Sequence, residues 1–183
     1  HSAATGKELW SCAGFNPDQN RNWVAVASFV ISNDVAVVPY GRAKRLAGVK
    51  LGGNGDVTKS HRLWTREDTG SFVPSPCAAN GNIYVLNDDK NTVECVAALT
   101  GKTLMVERLP KHRAKYYASP TVAGNHIYAP REDGVLVVLN IKDGIKVVSE
   151  NDMGERLIAS VVPVAGRLLI RGEEHLFCVG SQK

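Results

Sequence analysis

Apolar positions along this chain come in short runs, and none has sustained helical spacing. "VAVASFV", "VAVV", "NIYVL", "TVECVA", "HIYAP", "VLVVLN", "RLLIR" and "LFCVG" are rich in valine, isoleucine, leucine and tyrosine. Glycine, asparagine and aspartate separate them. Apolar runs of this length between turn residues predict strands, and "AGN", "ANGN" and "AGR" predict tight turns between them. The pattern predicts an all-β chain.

The runs recur in a fixed order. "YYASPTVAGNHIYAPREDG" from Tyr116 matches "FVPSPCAANGNIYVLNDDK" from Phe72, with looser copies from Val24 and Arg156. Anchored on Ser28, Ser75, Ser119 and Ser160, the spacings are 47, 44 and 41 residues. A period of about 40–50 residues is that of propeller blades. Within a unit, strand A follows the serine, a tight turn leads to strand B, a charged loop to strand C, and a Thr-Gly or Asp-Gly turn to strand D. "TGKELW" at Thr5–Trp10 matches "TGKTLM" at Thr100–Met105, both D strands. The chain thus reads as one domain, 1–183, with blades near 24–66, 72–109, 116–150 and 157–180. The segment 3–10 is expected to complete the last blade as its D strand, since closing a ring removes exposed sheet edges.

These units resemble the PQQ-type β-propeller repeat. Ser119-Pro120-Thr121-Val122-Ala123-Gly124, then Ile127-Tyr128 and Asp133-Gly134, carry the resemblance, and Ala3-Ala4-Thr5-Gly6-Lys7-Glu8-Leu9-Trp10 carries the end of the motif. It covers Ala3 to about Gly180. Such repeats usually end in a tryptophan that docks between blades. Trp10 and Trp64 fit, while Met105 and Val148 stand at the other two positions. The first full blade carries an insertion, "AKRLAGVKLGGNGDVTKSH". The resemblance implies an all-β propeller of four-stranded antiparallel blades, either a closed four-blade ring or half of an eight-bladed one. It implies a non-catalytic, extracytoplasmic binding scaffold, similar to the propeller lipoproteins of outer-membrane assembly, that docks a protein partner or a second copy. A homodimer would complete an eight-bladed ring. The alternative it implies is a quinoprotein dehydrogenase, or part of one, using PQQ with calcium. That group's adjacent cysteine pair is not in this sequence, and the expected reading is no cofactor.

The blade order places the B–C and D–A loops together on one face. Charges concentrate there, and binding residues favour loops held by a rigid scaffold. The candidate binding face is Arg42, Arg45, Arg66, Asp68, His112, Arg113, Tyr116, Arg131, Asp133, Arg156, Arg171 and His175. The bland reading is that solvated loops are simply charged. Arginine and tyrosine in "HRAKYY" suit partner recognition.

Composition changes this picture little. There are 22 basic and 18 acidic side chains, for a net charge of +4. They are interleaved rather than grouped, which argues against nucleic acid as a partner. No stretch reaches the roughly 18 apolar residues of a spanning helix. The first residues hold no signal-type apolar core, so the extracytoplasmic expectation rests on the resemblance. The chain does not start with methionine and reads as a processed or excised piece. Cys12, Cys77, Cys95 and Cys178 contain no CxxC. Unbridged strand cysteines are the plain expectation. "NDDKN" lacks the glycine and glutamate of a calcium loop, and His61, His112, His126 and His175 fall in different units, which is no zinc pattern. The repeating serines read as structural rather than nucleophilic, because they occur in every unit.

Overall fold

The computed structural model describes residues 1–180. Among these there is no helix. Strand β1 (Trp10–Ser11) stands at the start. The first blade is β2 (Val30–Ser32), β3 (Val35–Tyr40), β4 (Arg45–Lys50) and β6 (Arg62–Arg66), with β5 (Gly55–Asp56) in the connection before β6. The second is β7 (Cys77–Ala79), β8 (Asn82–Asn87), β9 (Thr92–Ala97) and β10 (Thr103–Arg108). The third is β11 (Thr121–Ala123), β12 (His126–Pro130), β13 (Val135–Asn140) and β14 (Lys146–Asp152). The fourth is β15 (Val162–Val164), β16 (Arg167–Arg171) and β17 (Leu176–Val179). Each blade is an antiparallel sheet whose spatial order follows the chain. The all-β propeller architecture is therefore as the repeat pattern predicts.

Turn chemistry sets the hairpins. Asn33-Asp34, Asn80-Gly81 and Ala165-Gly166 each hold two successive positive φ angles, the backbone of a type I′ turn. Each four-stranded blade has a register shift between strands C and D, at Gly48/Val49, Thr103/Met105 and Val138/Leu139. One extra residue there increases the twist of the outer strand.

The core lies between blades, not within them. Ile83 and Val85 pack with Val35, Val37 and Leu46 of the first blade. Tyr84 and Leu86, on the opposite face of β8, pack with Ile127, Val137 and Leu139 of the third. Leu136 and Val138 pack with Ile170 of the fourth, along with Leu157 and Val161. A sheet buried on both faces needs apolar residues at consecutive positions, which is why the runs are unbroken rather than alternating.

The repeating serines tie the blades together near strand A. The Ser75 hydroxyl accepts the Ser28 N–H at 2.9 Å, and the Ser119 hydroxyl accepts the Ser75 N–H at 2.9 Å. Ser119→Ala leaves the Ser75 amide without that partner. The expected loss of unfolding free energy, measured in urea, is about 1 kcal/mol.

Two sequence expectations are corrected. The segment 3–10 does not pair with the last blade. Only Trp10–Ser11 is strand, and it runs parallel to Gly55–Asp56. The Gly55 N–H donates to Leu9 O at 3.0 Å and the Val57 N–H to Ser11 O at 2.9 Å. The connection between β4 and β6 offers a polar backbone edge close by in sequence, and the last blade keeps three strands among the described residues. Nor is all of "AKRLAGVKLGGNGDVTKSH" an insertion. Arg45–Lys50 is the regular C strand, paired along its length with β3, so the extra chain is confined to the C–D connection.

Candidate functional site

The B–C and D–A loops do converge on one face, and ion pairs connect them. Around the first blade, Arg45 bridges to Glu67 at 3.1 Å and its guanidinium sits 4.7 Å over the Trp23 ring. Arg42 is exposed, 4.2 Å over Phe72, and donates to the Asn22 carbonyl at 3.4 Å. Arg66 grips Asp68 with both ends of its fork, at 2.9 and 2.6 Å. Its remaining nitrogen donates to buried Glu94 at 2.7 Å and to the Thr103 hydroxyl at 3.0 Å. The hydrogen bonds from Arg66 hold the Asp68 carboxyl below the usual carboxylate range. The Lys90 ammonium caps the Asp68 carbonyl.

The third blade repeats the device. Arg131 is 3% exposed and bonds Asp133 through Nε at 2.8 Å and Nη2 at 3.1 Å, with Glu150 at 3.4 Å. Hydrogen bonds from Arg131 likewise depress the Asp133 carboxyl. His112 Nδ1 lies 3.3 Å from Asp133 and accepts the Ala114 N–H at 3.0 Å. Tyr116 is buried beside Arg131, and burial pushes its phenol up while the guanidinium pulls it down. Its hydroxyl has no hydrogen bond of normal geometry. Lys115 reaches Asp88 and Asp89, each at 3.6 Å. Burial pushes the Asp88 carboxyl up against the opposite pull of Lys115.

At the fourth blade Arg156 meets Glu132 at 3.5 Å. Glu155 accepts the backbone N–H groups of Glu174 and His175 at 2.9 and 3.0 Å and lies 3.3 Å from the His175 ring. Arg113 and Arg171 are exposed and make no ion pair among the described residues.

The twelve candidates therefore divide. Arg66, Arg131 and Tyr116 hold loops from inside. Arg42, Arg113 and Arg171 project outward, as does Tyr117, which was not among the candidates. Sequence reasoning also passed over Glu94 and Glu155. A lone glutamate inside the apolar run "TVECV" was the available sign for Glu94. Glu155 stands in the charged loop "ENDMGER", but its donors, the Glu174 and His175 N–H groups, come from a distant loop.

Most charges on this face are paired. Among the described residues, no three His, Cys, Asp or Glu side chains converge.

Known proteins with this architecture bear on the family. No curated protein sequence matches the chain. The structure of BamB from Moraxella catarrhalis superposes with a TM-score of 0.59 at 16% identity, over 80% of this chain and 42% of that one. This chain thus spans less than half of that protein. The computationally designed Ika4 protein superposes with a TM-score of 0.69 at 16% identity, over 96% of this chain and 100% of that one. The quinohemoprotein alcohol dehydrogenase ADHIIG of Pseudomonas putida HK5 gives 0.64 at 12% identity, over 88% of this chain and 29% of that one. At such identities the likeness is one of fold. The sequence adds what fold alone does not: residues 1–107, more than half of the chain, match the family model described as outer membrane protein assembly factor BamB, so this chain belongs to that family of PQQ-like repeat propellers.

Proposed function

We propose that the chain is a non-catalytic, extracytoplasmic scaffold, without a bound cofactor, that docks a protein partner on its charged loop face. The observation that carries this reading is the division of labour on that face. Half-buried Arg66 and buried Arg131 lock the loops, and exposed Lys111, Arg113, Tyr117 and Arg171 stand on them. Loops held in place present such side chains to a partner at less ordering cost than mobile ones. The family match supports a partner among proteins of outer-membrane assembly. A homodimer is compatible with this reading, because it would use the end blades and leave the loop face open.

The test is site-specific photo-crosslinking in an extracytoplasmic extract. A photoreactive residue at Tyr117 is expected to capture one defined protein, and Arg113→Glu to abolish the capture. A probe at Asn125, in the turn between strands A and B of the third blade on the opposite face, is expected to capture nothing. Equal capture from both faces, or none, would sink the proposal.

The dehydrogenase reading rests on fold likeness alone. Titration with PQQ and calcium is expected to give no bound quinone absorbance and no dye-linked alcohol oxidation. A saturable spectrum with turnover would reverse the choice.

A further inference from the structure

We propose that the D–A loop between the second and third blades, residues 110–117, docks an acidic segment of a partner protein. Carboxylates of that segment meet Lys111 and Arg113, and the Tyr117 ring packs beside them. This rests on the docking reading above and names the chemistry of the partner.

The first argument is charge. The D–A loops of the face are not alike. The loop after the first blade sets Arg66 against Glu67 and Asp68, and the loop after the third sets Arg156 against Glu150, Asp152 and Glu155. The loop between them holds Lys111, Arg113 and Lys115, and from Arg108 to Arg131 the sequence has no aspartate or glutamate. Acids do approach this loop from the B–C loops of the blades on either side, but each already has a cation. Lys115 lies 3.6 Å from both Asp88 and Asp89. Arg131 holds Asp133 at 2.8 Å, and the His112 ring stands 3.3 Å from the same carboxylate. Arg156 meets Glu132 at 3.5 Å. Lys111 and Arg113 are exposed and have no ion pair among the described residues. The nearby carboxylates are thus spent inside the face, and two cations remain for a partner.

The second argument is that the loop is held at both ends. The Leu109 N–H donates to the Asn91 carbonyl at 2.9 Å, which fixes its start to the B–C loop of the second blade. Lys115 is clamped to the B–C loop of the third. Its N–H donates to the Glu132 carboxylate at 2.9 Å, and its carbonyl accepts the Glu132 N–H at 2.9 Å. Between these points the His112 ring accepts the Ala114 N–H at 3.0 Å. Tyr116 is 1% exposed and belongs to the core between the two blades, while its neighbour Tyr117 is 43% exposed. A loop ordered in advance loses little freedom when a partner arrives. An arginine fork takes a carboxylate through two parallel N–H bonds, and arginine and tyrosine are the side chains that most often carry interface energy.

The surroundings limit the kind of polyanion. Nucleic acid and anionic membranes present phosphates continuously, and either would also run over exposed Glu67, Glu150 and Asp152 on the flanking loops. A short acidic stretch of a protein meets the middle loop alone. Basic residues on either side of that stretch would meet the flanking acids, so the face selects a charge pattern and not charge alone.

Fluorescence anisotropy on the full chain tests this, in about 0.1 M salt, where charges more than about 10 Å apart are largely screened. The probe is a labelled peptide with a run of glutamates flanked by lysines, and its counterpart has glutamine at each glutamate. The glutamate peptide is expected to bind saturably and the glutamine peptide not to bind. Lys111→Glu and Arg113→Glu replace exposed, unpaired side chains, so the fold is kept, and each is expected to weaken binding about tenfold. Lys102→Glu makes the same charge change in the exposed C–D turn of the second blade, on the opposite face, and is expected to leave the affinity unchanged. Equal losses from all three variants would mean diffuse attraction to a basic protein and overturn the proposal. So would no saturable binding, equal binding of the two peptides, or preference for a single-stranded oligonucleotide or phosphatidylglycerol vesicles over the glutamate peptide. Competition separates this from the docking reading. Excess glutamate peptide is expected to block photo-capture at Tyr117. Capture that persists discards the acidic partner and keeps loop-face docking, whereas peptide binding with no captured protein does the reverse.

Discussion

Trp64→Ala is expected to cost about 3–4 kcal/mol of unfolding free energy, within the range for removing a packed tryptophan. Trp64 covers Gly48 of its own blade so closely that a Cβ there would meet the ring at 2.3 Å. It also covers Gly101 of the next blade and donates to the Ala98 carbonyl at 2.9 Å. It is thus a bridge between two sheets, half-buried against the core. Truncation opens a cavity against two glycines, which have no side chains to collapse into it. Trp64→Phe keeps part of the packing and loses the hydrogen bond, so its cost should be smaller. The comparison is made by urea unfolding. A loss below about 1 kcal/mol for the alanine variant would mean that the tryptophan is an ornament of the repeat and not a clasp.

Arg131→Ala is expected to be nearly as damaging, at about 2–3 kcal/mol. Removing one partner of a buried ion pair costs about 3–5 kcal/mol, discounted here because its carboxylates are partly exposed. Arg131 is itself 3% exposed and holds Asp133 and Glu150. Arg131→Met fills more of the space and should lose less. The pair also gives a pH signature. The Asp133 carboxyl lies below its ordinary 3.8 chiefly because Arg131 hydrogen-bonds it. The stability it contributes is complete above about pH 4 and is lost as pH falls through the lowered folded value. The wild type should therefore destabilise more steeply than Arg131→Ala between neutral pH and pH 3, followed by urea midpoints. Parallel acid arms for the two proteins would contradict the pairing.

Much of the fold is legible because its signals are local. A serine before strand A, two turn residues between A and B, and a glycine before strand D are each read within a few residues. The family resemblance follows from the same local motifs. The loop face was also legible as a face, since strand count alone decides which connections share a side. The use made of each charge was not. Arg66 and Arg42 look alike in sequence, yet one is clamped by Asp68 and Glu94 while the other lies over Phe72. Glu94 and Glu155 acquire their roles from partners on other strands and loops.

The N-terminal segment shows the same boundary most clearly. "TGKELW" alone determined that Thr5–Trp10 has the chemistry of a D strand, because turn and strand preferences depend on neighbouring residues. Which sheet edge it joins was decided only in three dimensions. Trp10–Ser11 pairs with Gly55–Asp56, and β17 keeps its outer edge among the described residues. A strand's pattern specifies the kind of edge it can pair with, and several edges in a repeat protein are of that kind. The choice among them comes from chain reach and non-local packing, which no short stretch of sequence encodes.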